Sequence, residues 1–205
     1  MFSKGSEKRR ICNRKELPVH WWSGLSHRYQ DGLAGRDAGF DYHVLSQFQF
    51  DVNVAPPQQW YSSEEPWSGI TLDLNTKRNV TRINLSGVML LQIPESIGDL
   101  KLLTYLDLNY NMLPQIPDSI SELKSLMRLE MNHNELAALP ESIGELELLT
   151  YLDLRDNALV TLPESISKLN SLNWLLISGN PVSSTRDKRD EVIRRFARQR
   201  LYMDI

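Results

Sequence analysis

Cysteine is almost missing: Cys12 is the single copy in 205 residues, which excludes an internal disulfide framework. An apolar leader is missing too, because polar residues follow the basic start MFSKGSEKRR. Both features are expected of a reducing, cytoplasmic setting. No stretch approaches the roughly 20 apolar residues that a bilayer-spanning helix requires, so stable membrane insertion is not expected. There is no glycine-rich phosphate loop, HExxH or GxSxG, which removes the commonest nucleotide, zinc-protease and hydrolase chemistries. His20, His27 and His43 lack metal-ligand spacing. Cys12 has Arg9, Arg10 and Arg14 nearby, which favour a thiolate, but no pocket is evident around it. The chain is therefore not expected to be an enzyme, and no catalytic residue, metal or cofactor is assigned.

Charge is sparse in one sign over most of the length. Residues 1–20 carry six basic and two acidic side chains, and residues 183–205 carry seven and four. That leaves ten basic against twenty acidic between them, an acidic body with two basic ends. Such a body repels nucleic acid phosphates and favours basic protein partners.

What the chain has in quantity is repetition. VTRINLSGV, LTYLDLNYN, LMRLEMNHN, LTYLDLRDN and LNWLLISGN begin at Val80, Leu103, Leu126, Leu149 and Leu172, each 23 residues after the last. Apolar residues hold the first, fourth and sixth places, and Asn111, Asn134, Asn157 and Asn180 close the last four copies. Apolar places at this spacing build one shared core between stacked units. The asparagine amide suits the backbone groups of the tight turn that leaves each strand, where an unpaired buried group costs about 1–3 kcal/mol. Between strands the chain reads IPESIGDL, IPDSISEL, LPESIGEL and LPESISKL. Pro94, Pro117, Pro140 and Pro163 suit the first turn of a short helix, with an acidic residue following at its positive end. Narrow strands on one side and helical turns on the other predict an arc.

The flanks read as covers for the ends of this stack. Residues 1–43 have a basic start and no clear periodicity. Trp21 and Trp22 are costly to leave wet and are expected to pack or to meet a partner. In residues 44–79, Phe48, Phe50, Val52 and Val54 alternate with polar residues as in a half-buried strand. Ile70, Leu72 and Leu74 repeat the alternation before a polar turn, which predicts a hairpin joining 70–74 to 80–85, with Trp60 and Trp67 adding bulk. Residues 183–205 read as a capping helix with Val192, Ile193, Phe196, Ala197 and Leu201 on one face.

The form LxxLPxSIxxLxxLxxLxLxxNxL, present as LPESIGELELLTYLDLRDNAL, resembles the intracellular Ras-group type of leucine-rich-repeat proteins over residues 80–182. The resemblance implies an α/β solenoid, a curved arc with a parallel sheet on its concave face, that binds proteins. A small GTPase is one kind of partner it implies. WSGITLDLNTKRNVTRINLSG also resembles the entry module of plant and bacterial repeats, through Trp67, Gly69, Ile70, Thr71, Val80 and Thr81. The paired cysteines of the secreted plant version are absent.

In such a fold the variable strand places face the concave surface. The third place holds Arg82, Tyr105, Arg128, Tyr151 and Trp174, and the fifth holds Asn84, Asp107, Glu130, Asp153 and Leu176. Arg155 occupies the seventh place, and Tyr110, His133 and Asp156 the eighth. Tyr, Trp and Arg dominate protein interfaces because each offers a large contact surface with a polar tip. The expected binding residues are Arg82, Tyr105, Asp107, Tyr110, Arg128, Glu130, His133, Tyr151, Asp153, Arg155 and Trp174. Against this, neighbouring rungs can simply satisfy one another, arginine on carboxylate and on tyrosine. Two other readings stay open: a bacterial effector or assembly subunit whose activity resides in residues 1–43, and a self-associating module. With both ends capped the chain is expected to be a monomer.

Overall fold

Alternating apolar and polar residues make each repeat start as a strand, because only one of its faces can be buried. The computed structural model describes residues 79–197 and 199–205, with the backbone of 49–50 and 70–72. All of these lie in one compact unit, Gly35–Ile205. The other expected features, including Cys12, Trp21, Trp22, Trp60, Trp67 and the three amino-terminal histidines, fall outside the described residues.

Strands β1 (Gln49–Phe50) and β4 (Leu90–Gln92) form an antiparallel pair. The main sheet has seven strands, in the order β2 (Ile70–Leu72), β3 (Val80–Asn84), β5 (Tyr105–Asp107), β6 (Arg128–Glu130), β7 (Tyr151–Asp153), β8 (Trp174–Leu176) and β9 (Tyr202–Asp204). The expected hairpin is present: β2 runs antiparallel to β3, with Ile70 opposite Ile83 and Leu72 opposite Val80. Every later pair is parallel, so residues at the same place in successive repeats stand side by side. Ile83, Leu106, Leu129, Leu152 and Leu175 thus form one fully buried file. Burying each such side chain contributes on the order of 1.5–3 kcal/mol.

The return segments are 310 turns, Glu95–Asp99, Asp118–Glu122, Glu141–Glu145 and Glu164–Lys168. The prolines stand just before these turns in extended backbone rather than inside them. Five residues give room for i to i+3 bonds such as Ile97 N–H to the Pro94 carbonyl at 3.0 Å, and for little more. The turns stack closely. A Cβ on Gly144 would lie 2.3 Å from the Ser165 carbonyl oxygen, so glycine is required there.

The asparagine column works as a tie between rungs. Asn157 Nδ2 donates to the carbonyls of Met131, Leu154 and Arg155, and its Oδ1 accepts from Leu136 N–H at 3.0 Å. Asn111, Asn134 and Asn180 repeat the arrangement. Each side chain therefore satisfies backbone groups of its own turn and of the rung before it.

The carboxyl-terminal region departs from the expected single helix. Helix α1 covers only Arg186–Arg195, with Thr185 as its amino-terminal cap. Val192 and Phe196 are buried, whereas Ile193 and Ala197 face outward. The chain then turns back and Tyr202–Asp204 joins the sheet beside β8. Backbone bonding explains the return: Asp204 O accepts from Ile177 N–H at 2.7 Å and from Ser178 N–H at 3.0 Å. The parallel run therefore has six strands, one more than the repeats in the sequence predict. Among the described residues no helix is long and apolar enough to cross a membrane.

Candidate functional site

Strand geometry sends the third, fifth and seventh places of each repeat to the same face. In register, the third-place column is Arg82, Tyr105, Arg128, Tyr151, Trp174 and Tyr202. Its first four members pair among themselves. The Arg82 guanidinium lies 4.2 Å from the Tyr105 ring centre and that of Arg128 3.6 Å from the Tyr151 ring. Arg128 Nε also donates to Glu130 Oε1. The last two members are aromatic, with Trp174 and Tyr202 4.7 Å apart at a 49° tilt. They remain open, 47% and 55% exposed.

The fifth-place column is Asn84, Asp107, Glu130, Asp153, Leu176 and Asp204. Asp107 and Asp153 were expected as presented charges, and the structure buries both, at 7% and 1% exposure. The column's carboxylates instead tie the sheet to the seventh place, Asp107 by accepting from Asn109 N–H at 3.0 Å and the others from side chains. Asn109 donates to Glu130 at 3.1 Å, Asn132 to Asp153 at 2.9 Å, and Ser178 Oγ to Asp204 at 2.9 Å. Arg155 grips Asp153 twice, Nε to Oδ1 at 3.0 Å and Nη2 to Oδ2 at 2.7 Å. Burial raises Asp153, but the Arg155 and Asn132 hydrogen bonds outweigh it and hold the carboxyl below its usual range. Asp107 has no such cation: burial and neighbouring Glu130 push it up, against the bond from Asn109 N–H. Burial, with Glu130 and Asp107 beside it, pushes the Tyr105 phenol up to about 12.

The eighth place forms a separate ladder along the strand ends. Tyr110, His133 and Asp156 have φ of 56°, 53° and 53°, and Gly87 and Gly179 take the same left-handed turn at the ends. Such a φ costs roughly 1–2 kcal/mol for a residue with a Cβ. The side chains align: Tyr110 and His133 stack with ring centres 4.4 Å apart, and His133 Nε2 lies 3.3 Å from Asp156 Oδ2. A Cβ on Gly179 would meet Asp156 Oδ1 at 2.2 Å, so glycine is needed for Asp156 to take its place. Tyr110 is the most open of these groups, 59% exposed.

Between β6 and β9 the face sinks into a hollow of about 460 Å³, lined by Arg128, Tyr151, Arg155, Trp174, Leu176, Tyr202 and Asp204. Leu176 interrupts the polar fifth-place column and gives the hollow an apolar floor. Of the eleven expected residues, four meet here. Arg82, Tyr105, Asp107, Tyr110, Glu130, His133 and Asp153 lie outside its lining.

The sequence matches the leucine-rich-repeat family over residues 78–136 and 137–182. The chain belongs to the leucine-rich-repeat family. Among solved structures this repeat protein is similar to a leucine-rich-repeat protein of Leptospira interrogans, with 28% identity, a TM-score of 0.50, and coverage of 57% of this chain and 35% of that one. The PEPR1–AtPEP1 crystal structure aligns with 27% identity and a TM-score of 0.58, over 70% of this chain and 21% of that one. The BIR3–SERK2 complex from Arabidopsis thaliana aligns with 28% identity and a TM-score of 0.51, over 66% and 72%. The repeat protein thus spans about a third of the length of the Leptospira protein and about a fifth of the PEPR1–AtPEP1 chain. No curated protein sequence matches it.

Tyr202 and Asp204 are the hollow's residues that the repeat spacing misses. Their signal lies in the letters: YMDI at 202–205 echoes YLDL at 105–108 and 151–154. A helix intervenes and displaces the echo from the 23-residue register.

Proposed function

We propose that this leucine-rich-repeat domain is a non-catalytic recognition module that holds a protein partner on its concave face, centred on the hollow between β6 and β9. The observation that carries this reading is the exposed Trp174–Tyr202 pair beside two guanidinium groups over an apolar floor. Large rings and arginines around a buried leucine have the composition of interface hot spots. Two similar structures are named for pairs of molecules, PEPR1–AtPEP1 and BIR3–SERK2, which supports recognition as the role of the fold. The Ras-group form of the motif supports a signalling partner inside the cell, such as a small GTPase. In this reading residues 44–79 and 183–205 cap the repeats, and residues 1–43 are an appended extension.

The test is quantitative capture from lysate, comparing the native chain with Trp174→Ala/Tyr202→Ala and with a Leu148→Ala control on an exposed edge. Circular dichroism checks that all three are folded. Capture of a partner by the native chain and the control, and its loss in the double variant, is the expected result. Equal capture by all three would place recognition elsewhere on the chain.

A further inference from the structure

We propose that the hollow receives a basic side chain, arginine or lysine, from the partner protein, an inference that rests on the recognition reading above. The third-place column is built of pairs. Arg82 covers Tyr105 and Arg128 covers Tyr151, and the third pair, Trp174 and Tyr202, has two rings and no cation of the described chain over them. Two of the fifth-place acids hold a cation, and two, Asp107 and Asp204, have none within ion-pair distance among the described residues. Only Asp204 adjoins rings that no arginine covers. Glu130 holds Arg128 and Asp153 holds Arg155, whereas Asp204 has Ser178 Oγ at 2.9 Å and no ion-pair partner among the described residues. Among the described residues this unit of the face therefore has rings and a carboxylate with no cation over the rings and none within ion-pair distance of the carboxylate.

The hollow's own arginines do not fill that vacancy. Arg155 feels the Asp204 charge but forms no ion pair with it, its Nε and Nη2 being bound to Asp153, and Arg128 lies over the Tyr151 ring. The lining holds two guanidinium groups and the Asp204 carboxylate, and each guanidinium is already paired with an acid just outside the lining, Glu130 for Arg128 and Asp153 for Arg155. Residues 80–182 as a whole carry six basic and thirteen acidic side chains, a field that draws a basic partner. The aliphatic stem of an arginine or lysine would lie along Leu176, with its head over Trp174 and Tyr202 and against Asp204. Long basic side chains bury their stems and keep their charged heads in polar or aromatic surroundings.

The experiment selects a phage-displayed library of random linear peptides on the immobilised full chain. Affinities of the enriched peptides are then measured by fluorescence polarisation. Variants are Trp174→Ala, Trp174→Phe and Asp204→Asn at the hollow, and Arg82→Ala/Tyr110→Ala at the other end of the face. The expected result is enrichment of peptides sharing an arginine or lysine. Binding should weaken about tenfold when that residue becomes glutamine, and by a similar factor with Trp174→Ala or Asp204→Asn. Trp174→Phe should retain most of the affinity. Enrichment of acidic peptides would overturn the proposal while leaving the recognition reading intact. Basic peptides lost only with Arg82→Ala/Tyr110→Ala would move the site away from the hollow, with the same consequence. If no peptide is enriched, both readings fall.

Discussion

Rungs β5 and β7 carry the same six residues, Leu-Thr-Tyr-Leu-Asp-Leu, at 103–108 and 149–154. Their skeletons agree closely. Each tyrosine lies under an arginine of the preceding rung, and each central leucine is fully buried. Each aspartate accepts from the backbone N–H two residues on, at 3.0 Å for Asp107 and 3.1 Å for Asp153. Yet the two carboxyls shift in opposite directions. The difference comes from outside the shared residues. Both stand beside Glu130, but Asp153 is gripped by Arg155 at the seventh place and has Leu176 on its other side, whereas Asp107 has Asn109 at the seventh place and Asn84 on its other side. Repeated letters set the geometry of a rung, and its neighbours set the electrostatics.

The shared skeleton gives the largest expected effect. Leu106→Ala and Leu152→Ala should each lower stability by about 3 kcal/mol, because each empties the same place in the central file. Urea unfolding followed by circular dichroism would test this, and a clear inequality would show that the two rungs are not equivalent in packing. The aspartates should then separate. Asp153→Asn removes the partner of a guanidinium held at two points and should cost about 2 kcal/mol, discounted for the exposure of Arg155. Asp107→Asn keeps an acceptor for Asn109 N–H and removes a charge that its surroundings disfavour, so at neutral pH the variant should be slightly more stable than the native chain. Equal losses at the two sites would break the comparison.

The strands, the buried leucines and the asparagine ties follow from the residue pattern, because a fixed spacing places each kind of residue in the same surroundings on every rung. The hairpin between β2 and β3 was legible for a similar reason, since alternation on both sides of a polar turn allows few other pairings. The site was less legible. Arg128 and Tyr151 have the composition of anchors, but strand register stacks them on each other, and register acts between residues far apart in the chain. Asp153 reads as an exposed charge until Arg155 and Asn132 close over it. Tyr202 and Asp204 escaped because helix α1 separates them from the last regular rung. Periodicity finds units that repeat at a constant interval, and the last strand of this sheet does not.

A smaller loss than that of Asp153→Asn is expected on converting β7 towards β5, and it gives the comparison its sign. Arg155→Asn should cost about 1 kcal/mol at neutral pH, because Asp153 keeps the bond from Asn132 and loses two charge-assisted ones. In the native chain Asp153 has a lowered folded-state pKa. Its stabilisation is therefore present above the unfolded value, near 4, and is lost as pH falls through the folded value. The gap between native and Arg155→Asn should accordingly close in acid. Asp107 works the other way: its folded pKa is raised, so its contribution is present below the unfolded value and is lost as pH rises through the folded one. Asp107→Asn should remove that decline, making the variant relatively most stable at neutral pH and equal to the native chain in acid. Urea midpoints at several pH values, with the two carboxyl resonances followed by NMR, measure both slopes. If the slopes share a sign, the seventh-place residue and the adjoining rung do not control these carboxyls.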